Sequence, residues 1–387
     1  MTKQRFKVMC IVGARPNFMK ISPIIEAFRA RTPDIDVVLL HTGQHYDHAM
    51  KALLFDQLGI PVPDIDLEVR GGSHAEQTAN IMLKFEAVLL EQKPSAVLVV
   101  GDVNSTIACA LVAVKLHIPV IHVEAGLRSK DLKMPEEINR LLTDRISQLL
   151  FTTERLGDEN LLAEGVAQDS IRFVGNVMID TLLKFKEIAP SVNEALDNTG
   201  IAEAKDLLAG TGGKFVFVTM HRPSNVDNPV ILERLLSCIR DTSLKVPVIF
   251  AVHPRTKSNI SKFGLDAVLE SPRVFTTPPM GYLDSLAFMS NATAVLTDSG
   301  GIQEETTALG VPCITMRENT ERWVTVEEGT NVIVGTDADL ITQAIDKILA
   351  GQGKAGRRPE LWDGHAAERI VDAIDLWLKE GKHVFHG

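Results

Sequence analysis

The chain has 387 residues, 45% of them apolar, and a formal net charge of −10. That length is too great for one ordinary core and fits two α/β domains of usual size, with a cleft between two lobes as the default arrangement. The acidic balance argues against a nucleic-acid or anionic-membrane surface, because either needs a basic face to neutralise phosphates, yet local positive charge can still serve a small anion.

Short apolar runs alternate with amphipathic ones along nearly the whole chain, which is the pattern of βα units on a parallel sheet. The first strand is predicted over residues 7–12. Its apolar run is interrupted by Gly13 and Arg15, and no stretch approaches the roughly 18 apolar residues of a spanning helix. The second strand covers 37–41. The cluster His41, His45, Asp47 and His48 has metal-binding residue types, but no second ligand group of recognisable spacing follows, so it reads as a loop and helix start lining a cleft. Ser73 and Glu76 form a capping box, and Ile81, Met82, Phe85, Val88 and Leu89 share one helical face before Pro94 ends the helix. Strands over 96–102, 119–124, 149–153 and 171–175 complete one sheet. Residues 189–213 read as polar and irregular. The pattern then restarts with KFVFVTM, VPVIFAV, RVFTT, TAVLTD, VPCITM and NVIVG, a second sheet of similar design.

A GxGxxG at 351–356 follows a predicted helix and runs into RRPELWDG, so it lacks the strand before it and the helix N-terminus after it that a dinucleotide pyrophosphate requires. TGGKF at 211–215 lacks the leading Gly and the Ser or Thr after Lys214 of a phosphate loop. The last helix, 366–379, has Ile370, Val371, Ile374 and Leu378 at helical spacing. Cys10, Cys109, Cys238 and Cys313 are far apart and form no CxxC; they read as core residues in a reducing compartment, and the protein as soluble and cytoplasmic.

In an open parallel sheet, ligands bind outside the carboxyl ends of the strands, which makes the residues just after each strand the candidates for chemistry. The first half supplies Arg15 and Lys20 at the rim, Asp102, Glu124 with Gly126 and Arg128 close behind, and Glu136 in the first turn of a helix opened by Pro135. Any one of these carboxylates could serve as a helix cap, but Asp102, Glu124 and Glu136 together make an acidic wall. The second half supplies His221 and Arg222 in MHRPSN, His253 and Arg255 in AVHPRT, and TDSGGIQEE. In the last, Ser299, Gly300 and Gly301 let backbone N–H groups approach an anion at a helix N-terminus, as a diphosphate would require. Glu305 reads as an acceptor for ribose hydroxyls, the bland alternative being that Glu304 and Glu305 are first-turn residues on the helix dipole.

GARPNFMK, TGQH, GDVNST, HVEAGLRS, MPEEINR, VGN, HRPSN, HPRT, DSGGIQEE and TERWVTVEEGTN occur in the order seen in the non-hydrolysing UDP-N-acetylglucosamine 2-epimerase family, which the chain resembles over nearly its whole length. The resemblance implies a GT-B-like α/β fold: two Rossmann-like domains with parallel sheets facing a central cleft. The expected boundaries are 1–177 for the domain with the carboxylates, 178–365 for the UDP-binding domain, and 366–387 for a C-terminal helix packing back toward the first. A homodimer and the absence of any cofactor or metal are also implied. Asp102, Glu124, Glu136 and His221 fall at catalytic positions by resemblance, while Arg15, Lys20, His253, Arg255, Ser299, Gly300, Glu305 and Arg322 fall at UDP or sugar contacts.

The implied isomerase interconverts UDP-N-acetylglucosamine and UDP-N-acetylmannosamine. The C2 proton is not alpha to a carbonyl and is barely acidic, so the expected route is elimination of UDP to a 2-acetamidoglucal, then re-addition with the proton delivered to the other face. The same motifs suit a UDP-2,3-diacetamido-2,3-dideoxy-glucuronic acid, and a glycosyltransferase shares the architecture but has no reason to assemble the acidic trio. Two departures stand out. Some members carry an activating second substrate site with a Gln-His-Arg-Gln sequence, where this chain has Gln44, His45, Tyr46 and Asp47, which argues against such activation. Trp323 replaces the proline common after TER.

Overall fold

Strands covered by helices on both faces have to be apolar along most of their length, and the sequence runs that way at both sheets. In the computed structural model, which describes residues 5–43 and 61–383, the chain forms two units, Met1–Leu182 with Glu360–Gly387, and Leu183–Pro359.

In the first unit, strands β1 (Phe6–Val12), β2 (Ile35–His41), β3 (Ile65–Asp66), β4 (Ala96–Val100), β5 (Val120–Ala125), β6 (Leu149–Thr152) and β7 (Ile171–Phe173) form one sheet. Their order is β3-β2-β1-β4-β5-β6-β7, and every pairing is parallel. The second unit has β8 (Val216–Met220), β9 (Val248–Val252), β10 (Val274–Thr277), β11 (Ala294–Thr297), β12 (Cys313–Thr315) and β13 (Asn331–Ile333). They are again all parallel, in the order β10-β9-β8-β11-β12-β13. In each sheet the order reverses next to its first strand, between β1 and β4 and between β8 and β11. Such a reversal sends successive crossover helices to opposite faces and opens a crevice at the carboxyl ends of those two strands. The fold thus nominates four loops before any side chain is considered.

Local chemistry sets the helices. Ser73 accepts the Glu76 amide while the Glu76 carboxylate returns to the Ser73 amide, starting the helix His74–Gln92, whose Ile81, Phe85 and Leu89 are buried. The reading of 189–213 as irregular is corrected: it holds two short helices, Val192–Asn198 and Ala204–Gly210. Ser191 and Glu194 form a second capping box there, and that S-x-x-E was the signal in the sequence. Residues 351–356 lie in turn and loop after the helix Ala338–Leu349. Trp323 opens the helix Trp323–Glu327, at the first position, which suits proline but does not demand it. All four cysteines are buried thiols. Among the described residues no helix is long and apolar enough to cross a membrane, and no group of three metal-binding side chains is found. His41 ends β2 with its Nδ1 3.2 Å from Asp66, while His45, Asp47 and His48, and with them the Gln44–Asp47 comparison, lie outside the described residues.

The last helix, Ala366–Lys379, buries Ile370, Val371, Ile374 and Leu378 within the first unit. Arg31 reaches both Asp372 (2.6 Å) and Glu368 (3.3 Å) on it. Its N-terminus is held by Asp180, whose carboxylate accepts the amides of Ala366 (3.1 Å) and Ala367 (2.7 Å). Burial raises the Asp180 carboxyl to about 6 despite those two bonds. Unfolded, it would titrate near ~3.9, so the folded unit binds this proton more readily and loses stability as pH rises from about 4 to about 6. Asp180→Asn removes the titration. Its thermal midpoint is expected at or above the parent's at pH 7 and below it at pH 4, a swing of at most about 3 kcal/mol. Scanning calorimetry at the two pH values checks this; parallel profiles for the two proteins would refute it.

Candidate active site

At the first unit's reversal, the loop after β1 enters the helix Arg15–Arg31, and Asn17 ties it to β4 by accepting the Ala14 amide (2.9 Å) and donating to the Val100 carbonyl (2.9 Å). Arg15 opens the helix. Lys20, expected at the rim, is instead buried one turn further in, where its ammonium pairs with the Glu124 carboxylate of β5, itself 4% exposed. The helix geometry explains the correction, since the turn after Arg15 faces the sheet. Gly101, between β4 and Asp102, has φ +69°, and a Cβ there would stand 3.2 Å from Glu124 Oε2 and 3.6 Å from Lys20 Nζ. This residue must be small for the Glu124–Lys20 pair to lie against the loop after β4.

Glu124 has φ +75°, a left-handed conformation that costs a side-chain-bearing residue of order 1–2 kcal/mol. The β5–β6 register shifts at the same point, between Val123 and Ala125. Strain of this kind persists where surrounding bonds over-determine it, and it concentrates at functional sites.

Asp102 is paired with Arg140, 2.5 Å from Nη1 to Oδ2, and its backbone carbonyl accepts Asn139 Nδ2 (2.8 Å). Both partners come from the helix Pro135–Ile146. Arg140 is 2% exposed and its other edge meets Glu137 Oε2 (2.8 and 3.1 Å). Glu137 also accepts the amides of Ser129 (3.0 Å) and Lys130 (2.8 Å). Burial works against ionisation of Glu137, but those amides and Arg140 hold its carboxyl below the usual carboxylate range. Glu136, beside it in the first turn, is only partly buried. Of the two adjacent acids in PEEINR, one therefore braces the loop and the other stays partly exposed. Sequence reading picked out Glu136 and missed Glu137 and Arg140; the i, i+3 spacing of the latter two was the available sign.

The second unit's reversal is organised by Asp298, which follows β11 and is fully buried. It accepts the amides of His221 (3.0 and 3.1 Å) and Arg222 (2.8 Å) after β8, Asn225 Nδ2 (3.1 Å), and faces His221 Nδ1 at 3.0 Å. Burial opposes its charge, yet His221 and these amides keep its carboxyl below the usual range. The His221 side chain is 41% exposed, and its ring lies 5.5 Å from that of His253. Burial and the nearby His221 lower the His253 imidazole. His253 caps the helix Pro254–Phe263, and exposed Arg255 grips Asp227 through Nε (2.8 Å) and Nη2.

Ser299 caps the helix Gly300–Leu309 by position, without a side-chain bond, so the amides of Gly300 and Gly301 belong to its first turn. A Cβ on Gly300 would sit 2.6 Å from Glu321 Oε1; Glu321 is held in turn by Arg317 (2.9 Å). Glu304 and Glu305 lie beyond the first turn, which sets aside the bland alternative of dipole residues. Both are buried: Glu304 meets Arg322 Nε at 3.3 Å, and Glu305 accepts a bond from the Tyr282 hydroxyl (2.7 Å). The reversals themselves hold Arg15 and Asp102 in the first unit and His221, Arg222, Ser299, Gly300 and Gly301 in the second, while Glu124, Glu136, His253, Arg255 and Arg322 come from neighbouring strands and helices.

A sequence-family profile described as UDP-N-acetylglucosamine 2-epimerase matches residues 27–375. The UDP-N-acetylglucosamine 2-epimerase of Methanocaldococcus jannaschii is 40% identical over 371 residues, covering 94% of this chain and 98% of the relative. The UDP-2,3-diacetamido-2,3-dideoxy-D-glucuronate 2-epimerase of Pseudomonas aeruginosa is 39% identical, covering 95% and 99%. The crystal structure of the M. jannaschii enzyme in complex with UDP-GlcNAc and UDP superposes with a TM-score of 0.84 at 39% identity, covering 96% of this chain and all of that one.

Breaking a buried ion pair by removing one partner typically costs about 3–5 kcal/mol. Glu137→Gln leaves Arg140 with Asp102 alone, and is expected to destabilise the first unit by about 3 kcal/mol in urea denaturation, far more than Glu136→Gln. Equal effects of the two substitutions would contradict the division of labour between these neighbours.

Proposed function

The chain belongs to the UDP-N-acetylglucosamine 2-epimerase family, and from that premise we propose that it interconverts UDP-N-acetylglucosamine and UDP-N-acetylmannosamine by reversible elimination of UDP across C1–C2. The observation that carries this reading is the pair of carboxylates at the carboxyl ends of β4 and β5, Asp102 on Arg140 and Glu124 on Lys20.

Cleavage of the C1–O bond sends its electron pair to the β-phosphate, and positive charge develops at the anomeric carbon. Loss of the C2 proton to a carboxylate then gives the 2-acetamidoglucal. In the return step UDP re-forms the C1–O bond and a proton reaches C2 from the opposite face, so two acid/base groups are needed. Asp102, Glu124 and Glu136 supply proton transfer and stabilise the cationic sugar. The Gly300 and Gly301 amides, with the helix dipole behind them, and the basic groups Arg15, Arg222, Arg255 and Arg322 take the diphosphate. Buried Glu305 receives the ribose hydroxyls, and His221, oriented by Asp298, meets the departing phosphate. General acid/base catalysis is worth about 100- to 10,000-fold, and most of the remaining acceleration falls to these fixed charges.

A second reading keeps the reaction and changes the sugar to the 2,3-diacetamido glucuronic acid, because relatives named for either sugar match this chain almost equally. Pairing of two chains belongs to the proposal as well. Leu83 and Leu90 on the helix His74–Gln92, and Ile138 and Leu142 on the helix Pro135–Ile146, are large apolar side chains left exposed. Light scattering should give twice the chain mass, and Leu83→Lys with Leu142→Lys should give the single mass.

Incubated with UDP-N-acetylglucosamine in D2O and followed by proton NMR, the protein is expected to yield UDP-N-acetylmannosamine carrying deuterium at C2. Asp102→Asn and Glu124→Gln should each lower kcat by at least about 100-fold with UDP affinity little changed. No exchange with this sugar, but turnover of the diacetamido uronic acid nucleotide, selects the second reading. Free N-acetylmannosamine as the only product would reject a non-hydrolysing reaction.

A further inference from the structure

Beneath the carboxylates lies a charged cluster that the proposed chemistry does not use directly. His122, in β5, is fully buried. Its Nε2 is 2.9 Å from the carbonyl oxygen of Gly101, and its Nδ1 is 2.6 Å from Asp144 Oδ1. A carbonyl oxygen only accepts, so Nε2 carries a proton and donates it to Gly101. Asp144 Oδ2 in turn accepts the Gly126 amide (3.1 Å) and pairs with Arg128 Nη2 (2.7 Å). Arg128 continues to Glu164 at 2.7 and 2.8 Å. Burial opposes the charge on Asp144, while His122 and Arg128 hold its carboxyl below the usual range.

The connections of this cluster are to the peptides that aim the two carboxylates. Gly101 is the residue before Asp102, and its peptide is fixed at both ends: its amide donates to the Val123 carbonyl (3.1 Å) and its carbonyl accepts from His122. Glu124, with its left-handed backbone, is bracketed by His122 two residues before and Gly126 two residues after, both bound to Asp144. Asn160 Nδ2 holds the Gly126 carbonyl from the other side (2.9 Å). One imidazole therefore spans from the strand bearing Glu124 to the loop bearing Asp102. A plain core position would be met by an apolar residue, as at the neighbouring Ile121 and Val123, both buried.

Resting on the epimerase reading, we propose that His122, backed by Asp144, is a positioning residue that sets Asp102 and Glu124 relative to each other. The two carboxylates then act on a common intermediate with fixed geometry. A displacement of about 1 Å in a reacting group costs on the order of 100-fold in rate, so this bond matters to turnover more than to binding of UDP.

The test compares His122→Gln, whose amide can still reach the Gly101 carbonyl, with His122→Asn, which is too short to do so. The glutamine variant should keep kcat within about 10-fold of the parent, and the asparagine variant should lose about 100-fold, with KM and UDP affinity near parental values in both. A second readout separates positioning from general loosening. In D2O, early in the reaction, the ratio of deuterium in recovered substrate to deuterium in epimer should shift in His122→Asn but not in Asp180→Asn, a variant at a buried carboxylate elsewhere in the same unit. Asp144→Asn, which keeps an acceptor for Gly126, should shift the ratio in the same direction and serves if the asparagine variant does not fold. Equal kcat in the glutamine and asparagine variants, or a fall in kcat with an unchanged ratio, overturns the inference. A parent protein that yields no C2 epimer overturns the underlying reading and the inference with it, whereas an active parent with parental variants overturns the inference alone.

Discussion

A charge at the carboxyl end of a central strand stands in a setting that opposes it, because the sheet and its helices exclude the water that would solvate it. The pairing this enforces runs through the molecule. In the first unit Glu124 has Lys20, Asp102 has Arg140, and Asp144 has His122 and Arg128. In the second, Asp298 has the His221 ring and two backbone amides, while Glu321 has Arg317 and Glu304 has Arg322. A buried ion pair adds little net stability compared with apolar residues of the same volume, although losing one partner is costly. One of them, Glu124 with Lys20, stands where the backbone is also strained, and that coincidence makes it a candidate for work on a substrate.

The two units solve the problem with opposite means. The first uses side-chain cations to hold carboxylates and leaves Asp102 and Glu136 partly exposed, which suits a group that must exchange a proton. The second turns one carboxylate, Asp298, inward to tie down the loop after β8, so that what remains at the surface is His221, Arg222 and His253. An inward acid and outward bases are what the proposed diphosphate would need, and Gly300 and Gly301 put first-turn amides at the start of the helix Gly300–Leu309. The opposite characters of the two loops follow from where each places its acid.

How much of this the sequence could reveal depends on the range of the interaction. Strand positions were legible because apolar runs and turn residues are local, and the parallel order followed from the βα alternation. Loop candidates were legible because the parallel sheet itself says where to look. The two short helices within 189–213 were passed over although Ser191 and Glu194 announced one of them, since polar composition outweighed a four-residue signal. The depth of a side chain was harder. Lys20 read as a rim residue and is buried, and the bland alternative of first-turn acids for Glu304 and Glu305 gives way to buried partners of Arg322 and Tyr282. Each case concerns a charged residue whose burial is decided by a partner far along the chain, 104 residues away for Lys20, and no periodicity reports that distance.

His122 and Arg140 show the same limit from the other direction. Both lie inside motifs that stood out, HVEAGLRS and PEEINR, yet neither is at a strand end, so a search of strand ends passes over them. Their function is visible only through what they touch: a carbonyl one residue before Asp102 in one case, the Asp102 carboxylate in the other. Asp102 is partly exposed and so is not locked by packing around its own atoms, and Glu124, though buried, sits on a strained left-handed backbone. The constraint therefore moves one layer inward, to buried polar groups that can hold a peptide or a carboxylate at a fixed distance. The proposed acid/base pair would need two such anchors in register, and β4 and β5, hydrogen-bonded side by side with Val99 opposite His122, are the shared frame for them.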